Sequence, residues 1–200
     1  MTIDQIGSTR RGDQVEPLLE DLRSWSTSGR PPVRAFERTG GDEVQAVLDD
    51  ADRVVDLALI LVRRGGWSIG IGAGPVDEPL PPSTRAGTGP AFVHARDAVE
   101  RAKSRSRPVP LAVVGHLAER AADAEAVLGL VAAVVERRSP QGWAVIDALG
   151  SARGPRTQEQ VAADLGISQQ AVSQRLRAAM WAEERAARPV AARLLREGEA

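Results

Sequence analysis

The chain contains no cysteine and only two histidines, His94 and His116, among its 200 residues. Without cysteine it can form neither disulfides nor cysteine-ligated zinc sites, and it has no thiol nucleophile. Two histidines also give little basis for a histidine-based metal centre. Any metal ion must therefore be held by oxygen ligands.

Long apolar runs are lacking as well. The longest lie at residues 57–62 and 127–135, well short of the roughly 20 residues that a membrane-spanning helix needs. The first four residues, MTID, show no basic segment followed by an apolar one, as a secretion signal would. We therefore expect a cytoplasmic protein without a membrane partner.

An excess of positive charge is absent too, since the formal net charge is −1 at pH 7. A near-neutral chain does not by itself indicate a nucleic-acid partner, because such binding depends on clustered lysine and arginine. Two local runs matter more. Residues 101–107, RAKSRSR, hold four basic side chains and no acidic one, and residues 168–181 hold Arg175 and Arg177 without an acid. Either run could also be an ordinary solvated helix face.

What is present is an alternation of strand and helix patterns over residues 1–115. Strand patterns occupy residues 2–6, 33–38, 44–48 and 67–71, and apolar residues at helical spacing occupy residues 15–22 and 54–62. A third helix is predicted from Pro90 onward. The order β-α-β-β-α-β-α predicts an α+β fold whose first domain is a ferredoxin-like α/β sandwich with its helices on one sheet face. A loop rich in proline and glycine, residues 74–89, interrupts it, and loops of that length are commonly functional.

From about Leu117 onward only helical patterns remain. Apolar residues crowd the segment 127–135, which ends at Ser139-Pro140, and a second helix is predicted over residues 143–149, followed by a Gly/Pro turn. The change in composition near Gly115 predicts two domains, residues 1–115 and an all-helical domain over residues 116–200.

Residues 157–179, TQEQVAADLGISQQAVSQRLRAA, have the pattern of a helix-turn-helix. Thr157 and Gln160 form a capping-box pair at the start of one helix, Gly166 ends it, and Ser168 can cap the next. In that second helix Ala171, Val172 and Leu176 would face inward, which turns a surface of amides, hydroxyls and arginines outward. A purely structural pair of helices could share the apolar spacing, but it would not require this outward surface.

The outward surface is the predicted interface with double-stranded DNA. A recognition helix presents its N-terminal side chains to base edges in the major groove, where glutamine can read adenine. The residues predicted to contact bases or to border them are Ser168, Gln169, Gln170, Ser173 and Gln174, and those predicted to contact phosphates are Thr157, Arg175 and Arg177.

Two aspartates in the first half are candidate metal ligands. Asp4 lies at the end of a predicted strand, and Asp42 follows two glycines in a tight turn. Two carboxylates on adjacent strands can share a hard cation, and Mg²⁺ binds few carboxylates together with phosphate oxygens. The backbone amides of Gly7, Ser8 and Thr9 could hold the phosphates. The alternative is an ordinary hairpin, because glycine and aspartate favour such turns regardless of function.

Three segments of this half resemble the site of class III nucleotide cyclases and of GGDEF diguanylate cyclases, which share a palm-like fold. They are IDQIGST at residues 3–9, RTGGDE at residues 38–43 and IGIGAGPV at residues 69–76, followed by a helix that begins at Gly89-Pro90-Ala91. The resemblance implies a nucleotide site, either for a purine nucleotide or for a cyclic dinucleotide. It adds five residues to that site, which are Ile6, Arg38, Gly41, Glu43 and Arg96.

The chain also departs from the cyclase pattern. Arg38 stands where cyclases have a base-recognising lysine, and the asparagine that precedes their transition-state arginine is missing, because the corresponding residues are Val93 and Asp97, or Phe92 if Arg96 is the arginine. The chain thus keeps residues that resemble the metal ligands and the phosphate loop of cyclases, but it lacks those that stabilise the transition state. This pattern favours binding over catalysis.

The whole arrangement resembles the bacterial SatD-like family, whose biochemical role is poorly defined. We expect a homodimeric transcriptional regulator that binds DNA and whose cyclase-like domain, residues 1–115, senses a nucleotide. Two alternatives stay open. The first domain could be an active Mg²⁺-dependent nucleotidyl cyclase, or it could serve dimerisation alone.

Overall fold

The computed structural model describes residues 1–150 and 156–199. Within them the chain is an α+β protein built on one five-stranded sheet. The strands are β1 Thr2–Gln5, β2 Arg34–Gly40, β3 Glu43–Val47, β4 Trp67–Ala73 and β5 Leu111–Gly115. Their order across the sheet is β2-β3-β1-β4-β5, and all neighbouring pairs are antiparallel except β4 and β5, which are parallel.

The helices of the described residues are α1 Ser8–Arg11, α2 Val15–Thr27, α3 Ala51–Arg64, α4 Pro90–Ala102, α5 Ala118–Arg137, α6 Pro140–Leu149, α7 Gln158–Leu165, α8 Gln169–Ala178 and α9 Trp181–Glu197. None of these helices has the length and apolar character of a membrane span. The four predicted strands and the three helices predicted before residue 115 are confirmed to within a few residues. Strand β5 was not predicted, because its short apolar run carries no alternation to mark it as a strand.

The two faces of the sheet differ in character. Ile3 is paired with Val44 on β3 and with Ile69 on β4, and all three are fully buried. Residues directly opposite one another share a face, so these side chains form one apolar layer, and α2, α3, α5 and α9 pack against it. Side chains alternate along a strand, so Thr2 and Asp4 point to the other face.

Helix α4 covers part of that second face, so the prediction of helices on one face only is wrong. It lies directly on β4 at two glycines. A Cβ atom added to Gly70 would lie 2.3 Å from the backbone nitrogen of Val99, and one added to Gly72 would lie 2.3 Å from that of Ala95. The alternating glycines of β4 therefore let the helix backbone touch the strand, and this contact places α4 on this face.

The main hydrophobic core extends past residue 115. Helices α5 and α9 pack on each other and on the apolar face of the sheet, and they bury Leu128 and Leu195 in the same core as Ile3 and Ile69. The change in composition near Gly115 marks the end of the strands among the described residues but does not mark the end of this core.

Helices α6, α7 and α8 form a smaller module between α5 and α9 in the chain. Its own core contains Val145 from α6, Val161 and Ala162 from α7, and Val172 from α8. The partly buried residues Leu165, Ile167 and Leu176 pack against that core. The Gly/Pro turn predicted after α6 falls on residues 151–155 and lies outside the described residues.

The contact between α4 and β4 gives a stability prediction. Gly70→Ala and Gly72→Ala should each lower the free energy of unfolding by about 1–3 kcal/mol or more, because the added methyl group must push the helix backbone away. Gly129→Ala is the control. Nothing lies within 4 Å of a Cβ added there, and the change should stabilise α5 by up to about 1 kcal/mol. Urea unfolding measures all three, and equal effects at Gly70 and Gly129 would contradict the packing argument.

Candidate functional site

A cleft of about 660 Å³ opens on the second face of the sheet. Helix α4 covers β4 and β5 on this face, and the cleft opens beside it over β1 and β3. Its floor is polar, because the outward residues of these two strands are Asp4, Glu43 and Gln45. The hairpin between β2 and β3, the loop at residues 84–89 and one side of α4 form its walls.

The floor of the cleft carries two carboxylates that face each other. Asp4 is paired directly with Glu43 in the β1–β3 register, an arrangement in which like charges destabilise a sheet unless a cation compensates them. The hydroxyl of Thr39 donates a hydrogen bond to Glu43. The next pair, Thr2 and Gln45, is buried, and the Gln45 amide donates to the Thr2 hydroxyl at 3.0 Å. This pair adds an uncharged, buried stretch of the two strands beside the carboxylates.

The compensating cation at Asp4 is Lys103. Its Nζ lies 3.0 Å from Asp4 Oδ2 and 2.7 Å from Glu100 Oε1. Burial raises the pKa of Asp4, Lys103 opposes that rise, and the nearby charges of Asp42 and Glu43 add to it, so the pKa stays above its usual value. Burial alone would lower the pKa of Lys103, but its bonds to Glu100 and Asp4 raise it. The lysine is therefore a fixed positive charge.

The loop wall is held in place by Glu37 of β2. Its carboxylate accepts hydrogen bonds from the hydroxyls of Ser83 at 2.7 Å and Thr84 at 2.6 Å, and from the backbone amides of Thr84 and Arg85. Burial works to raise the pKa of Glu37, but these hydrogen bonds outweigh it and the pKa is lowered. The loop thereby presents Arg85 to the cleft.

Helix α4 supplies the facing wall. Phe92, Val93 and Arg96 line the cleft from this helix, and Lys103 follows its last turn. Residues 92, 96 and 103 recur at the spacing of one helix face. The cleft thus has carboxylates on its floor and two arginines, Arg85 and Arg96, in its walls, and Lys103 pairs with the floor carboxylate of Asp4.

The predicted nucleotide-binding residues fall into two neighbouring places. Asp4, Asp42, Glu43 and Arg96 meet in the cleft. A shallower depression of about 400 Å³ is lined by Ser8, Thr9, Arg38, Gly41 and again Asp42. Asp42 lies on the border between the cleft and this depression and lines both.

Three predicted residues have well-defined local roles. Gly7, with φ 71°, adopts the left-handed conformation that begins α1. The Ile6 side chain is exposed, while its backbone N–H donates to the Gly66 carbonyl at 2.8 Å. Arg38 donates to the Gly41 carbonyl at 2.6 Å and forms an ion pair with Asp13 at 2.8 Å. Arg38 therefore stabilises the hairpin and is only partly available to a ligand.

One of the cleft carboxylates that could bind a divalent ion is already paired with a cation. Asp4, Asp42 and Glu43 have the hard oxygen donors that Mg²⁺ prefers, but one oxygen of Asp4 is already paired with the Lys103 ammonium group. In the described part of the chain no three acidic or histidine side chains converge closely enough to hold a metal. Asp4 thus already has a cationic partner, and the predicted Mg²⁺ site at Asp4 and Asp42 stays a prediction.

Sequence reasoning did not find Lys103, Gln45, Glu37 or Arg85. Lys103 belongs to the basic run 101–107, whose other members are largely engaged elsewhere, since Arg101 and Arg107 both form ion pairs with Glu125. Its meeting with Asp4 depends on the path of α4 across the sheet, and no local pattern encodes that path. The basic run itself was the one available signal.

The surface of α7 and α8 is a second candidate site. Thr157 and Gln160 form the predicted capping box, Gly166 adopts the left-handed conformation that ends α7, and the Ser168 hydroxyl accepts from the amide of Ala171. Around this frame the predicted DNA-contacting residues Thr157, Ser168, Gln169, Gln170, Gln174 and Arg177 are exposed, and Ser173 and Arg175 are half-buried. Of the predicted inward positions of α8, Val172 is buried in the small core and Leu176 packs against it.

No family model, curated protein or solved structure matches this chain. A functional assignment therefore depends on the geometry of the cleft and of the α7–α8 surface.

The Glu37 hydrogen bonds give a pH prediction. Because the pKa of Glu37 is lower in the folded than in the unfolded chain, its contribution is complete above the unfolded value of about 4.3 and is lost as the pH falls through the folded value. Glu37→Gln should therefore lower the free energy of unfolding by about 1 kcal/mol at pH 7 and by less below pH 4. Chemical unfolding at both pH values tests this. Glu136→Gln, at an exposed position of α5, should change little at either pH, and a pH-independent loss in Glu37→Gln would contradict the prediction.

Proposed function

We propose that this chain is a DNA-binding transcriptional regulator whose sheet domain binds a nucleotide in the cleft. The observation that carries the proposal is the α7–turn–α8 unit, with a capped first helix, a left-handed glycine in the turn and an exposed polar face on the second helix. Helix-turn-helix proteins place such a second helix in the major groove of DNA. The exposed amides and arginine of α8 are suited to that groove.

The proposed contacts follow from position along α8. Gln169 and Gln170, in its first turn, are placed to reach base edges, where a glutamine amide can bind adenine through N6 and N7. Arg177, in its last turn, is placed for phosphates, which fix the register without reading sequence. We include a homodimer in the proposal, because proteins of this kind commonly bind two half-sites.

The DNA prediction compares two kinds of variant of the whole chain. Gln169→Ala and Gln170→Ala should each cost about 1–3 kcal/mol on a preferred duplex and relax the preference at one position. Arg177→Ala should weaken all duplexes alike and reduce the dependence of binding on salt. Duplexes selected from a random pool, followed by fluorescence anisotropy, give these affinities. Arg193→Ala, an exposed arginine of α9, is the control, and glutamine variants that bind like the wild type would exclude this surface as the reader of sequence.

The nucleotide part of the proposal is supported by three features of the sheet domain. Strand order β2-β3-β1-β4 with β1 antiparallel to both neighbours agrees with a ferredoxin-like arrangement. The β2–β3 hairpin brings Asp42 beside Asp4, as in the cyclases that the sequence resembles. The cleft volume of about 660 Å³ is within the range of small-molecule sites, and Arg85 and Arg96 could meet the phosphates.

The corresponding prediction concerns Arg96. Arg96→Met should weaken binding of ATP or GTP by about tenfold. The Arg96 side chain lines the cleft from α4, and its removal deletes about one charge-assisted hydrogen bond to the ligand. Calorimetry with triphosphates, cyclic dinucleotides and the uncharged nucleosides measures it. Arg105→Met, an exposed arginine of the basic run, should behave as the wild type. A wild-type protein that is folded but binds none of these compounds would leave dimerisation as the role of the sheet domain.

An active cyclase is the second candidate function, and the observation that favours it is that Asp4, Asp42 and Glu43 all line one cleft. Cyclases need further donors that stabilise charge in the transition state, and α4 offers only Arg96 toward the cleft. We therefore expect no product when the purified chain is incubated with ATP or GTP and a divalent ion. Product seen by chromatography, and abolished in Asp42→Asn, would favour the enzyme instead.

A further inference from the structure

The negative charge on the cleft floor is compensated by the chain itself. Asp4 and Glu43 face each other across β1 and β3, and Asp42 is close enough to raise the pKa of Asp4. Asp4 keeps only 16% of its side chain exposed, so water screens it poorly. A carboxylate in such surroundings needs a cationic partner, and Asp4 has Lys103 in that role.

The fold fixes the lysine in that place. Lys103 directly follows α4, and α4 is held on β4 by the close contacts at Gly70 and Gly72. Glu100, one turn earlier, binds the same ammonium group at 2.7 Å. The ammonium group is thus held between one carboxylate from the helix and one from the sheet.

We infer that Lys103 is a resident cation that takes the place of a divalent metal ion at Asp4. A metal ion that used Asp4 would compete with the ammonium group for the carboxylate and would lie beside its positive charge. Asp4 therefore holds Lys103 and no metal ion, and the cations left to a ligand in the cleft are Arg85 and Arg96, which line it. This inference concerns the cleft alone and does not depend on DNA binding.

The test must distinguish the pairing of Asp4 with Lys103 from a general effect of positive charge on metal binding in the cleft. Arg96 lines the same cleft, and among the described residues no ion pair joins it to a carboxylate. Removing Arg96 deletes one positive charge but leaves Asp4 paired, whereas removing Lys103 also frees the Asp4 oxygen. The two variants therefore form a charge-matched comparison.

The test is a titration of the whole chain with Mn²⁺ in the absence of nucleotide and DNA, followed by electron paramagnetic resonance of free Mn²⁺. Lys103→Met should bind Mn²⁺ at least about tenfold more tightly than the wild type, because a unit charge about 4 Å away is removed and a carboxylate becomes free. Arg96→Met should change the affinity much less, and Arg105→Met should not change it. Adding Asp4→Asn to Lys103→Met should abolish the gain.

Two results would overturn the inference. One is a Mn²⁺ affinity in Lys103→Met that is unchanged or no higher than in Arg96→Met. The other is tight binding by the wild type that Asp4→Asn removes, since Asp4 would then already serve as a metal ligand. Lys103→Gln provides a second, polar variant if the methionine variant does not fold, with circular dichroism as the check. Because the titration contains no nucleotide, its outcome is separate from the success of the proposed function.

Discussion

The approach of α4 to β4 is the contact on which the other features of the cleft depend. Two glycines, Gly70 and Gly72, allow the backbones to touch. The helix therefore packs close against β4 and β5 and leaves the same face of β1 and β3 uncovered, where the cleft opens. The same placement carries Arg96 along the cleft wall and brings Lys103 to Asp4. A helix held farther from the sheet by ordinary side chains would leave Asp4 without its partner.

The features that sequence could predict are those encoded locally. Alternating apolar residues predicted four strands, and the capping pair of Thr157 and Gln160 predicted the start of α7. Gly166 likewise predicted the end of that helix. The features that were missed join distant parts of the chain. The pairing of Asp4 with Lys103 spans almost one hundred positions of the sequence, and it depends on which face of the sheet α4 covers.

The parts of the candidate site that the sequence did not predict also depend on contacts between distant residues. The β2–β3 hairpin was predicted because glycines and an aspartate mark a turn, and it does place Asp42 near Asp4. Glu37 could not be recognised, because its partners Ser83 and Thr84 lie in a loop more than forty residues away. The extent of the main core was also hidden, since nothing in α5 or α9 taken alone says that their apolar stripes meet the sheet.

The junction between the sheet and the small helical module is built from charged and aromatic side chains. Arg63 of α3 forms a two-bond ion pair with Asp147 of α6 and lies 3.8 Å from the centre of the Trp143 ring. Arg138 packs near the same ring at 4.4 Å and pairs with Glu184 in a fully buried contact. It also donates two bonds to the Ala179 carbonyl, where the chain turns into α9. The directional hydrogen bonds and ion pairs of these two arginines thus help to fix the junction, in addition to its buried apolar surface.

The position of the small module in the chain has a consequence for its mechanics. It is an insertion, because α5 enters it from the main core and α9 returns to that core. Attachment at two points leaves little freedom other than rotation about the line that joins them, whereas a domain on a single linker can swing in every direction. It also means that one cut between α8 and α9 would not release the module as a separate piece with the rest intact. The cut would instead separate α9, which completes the main core, from the rest of the chain.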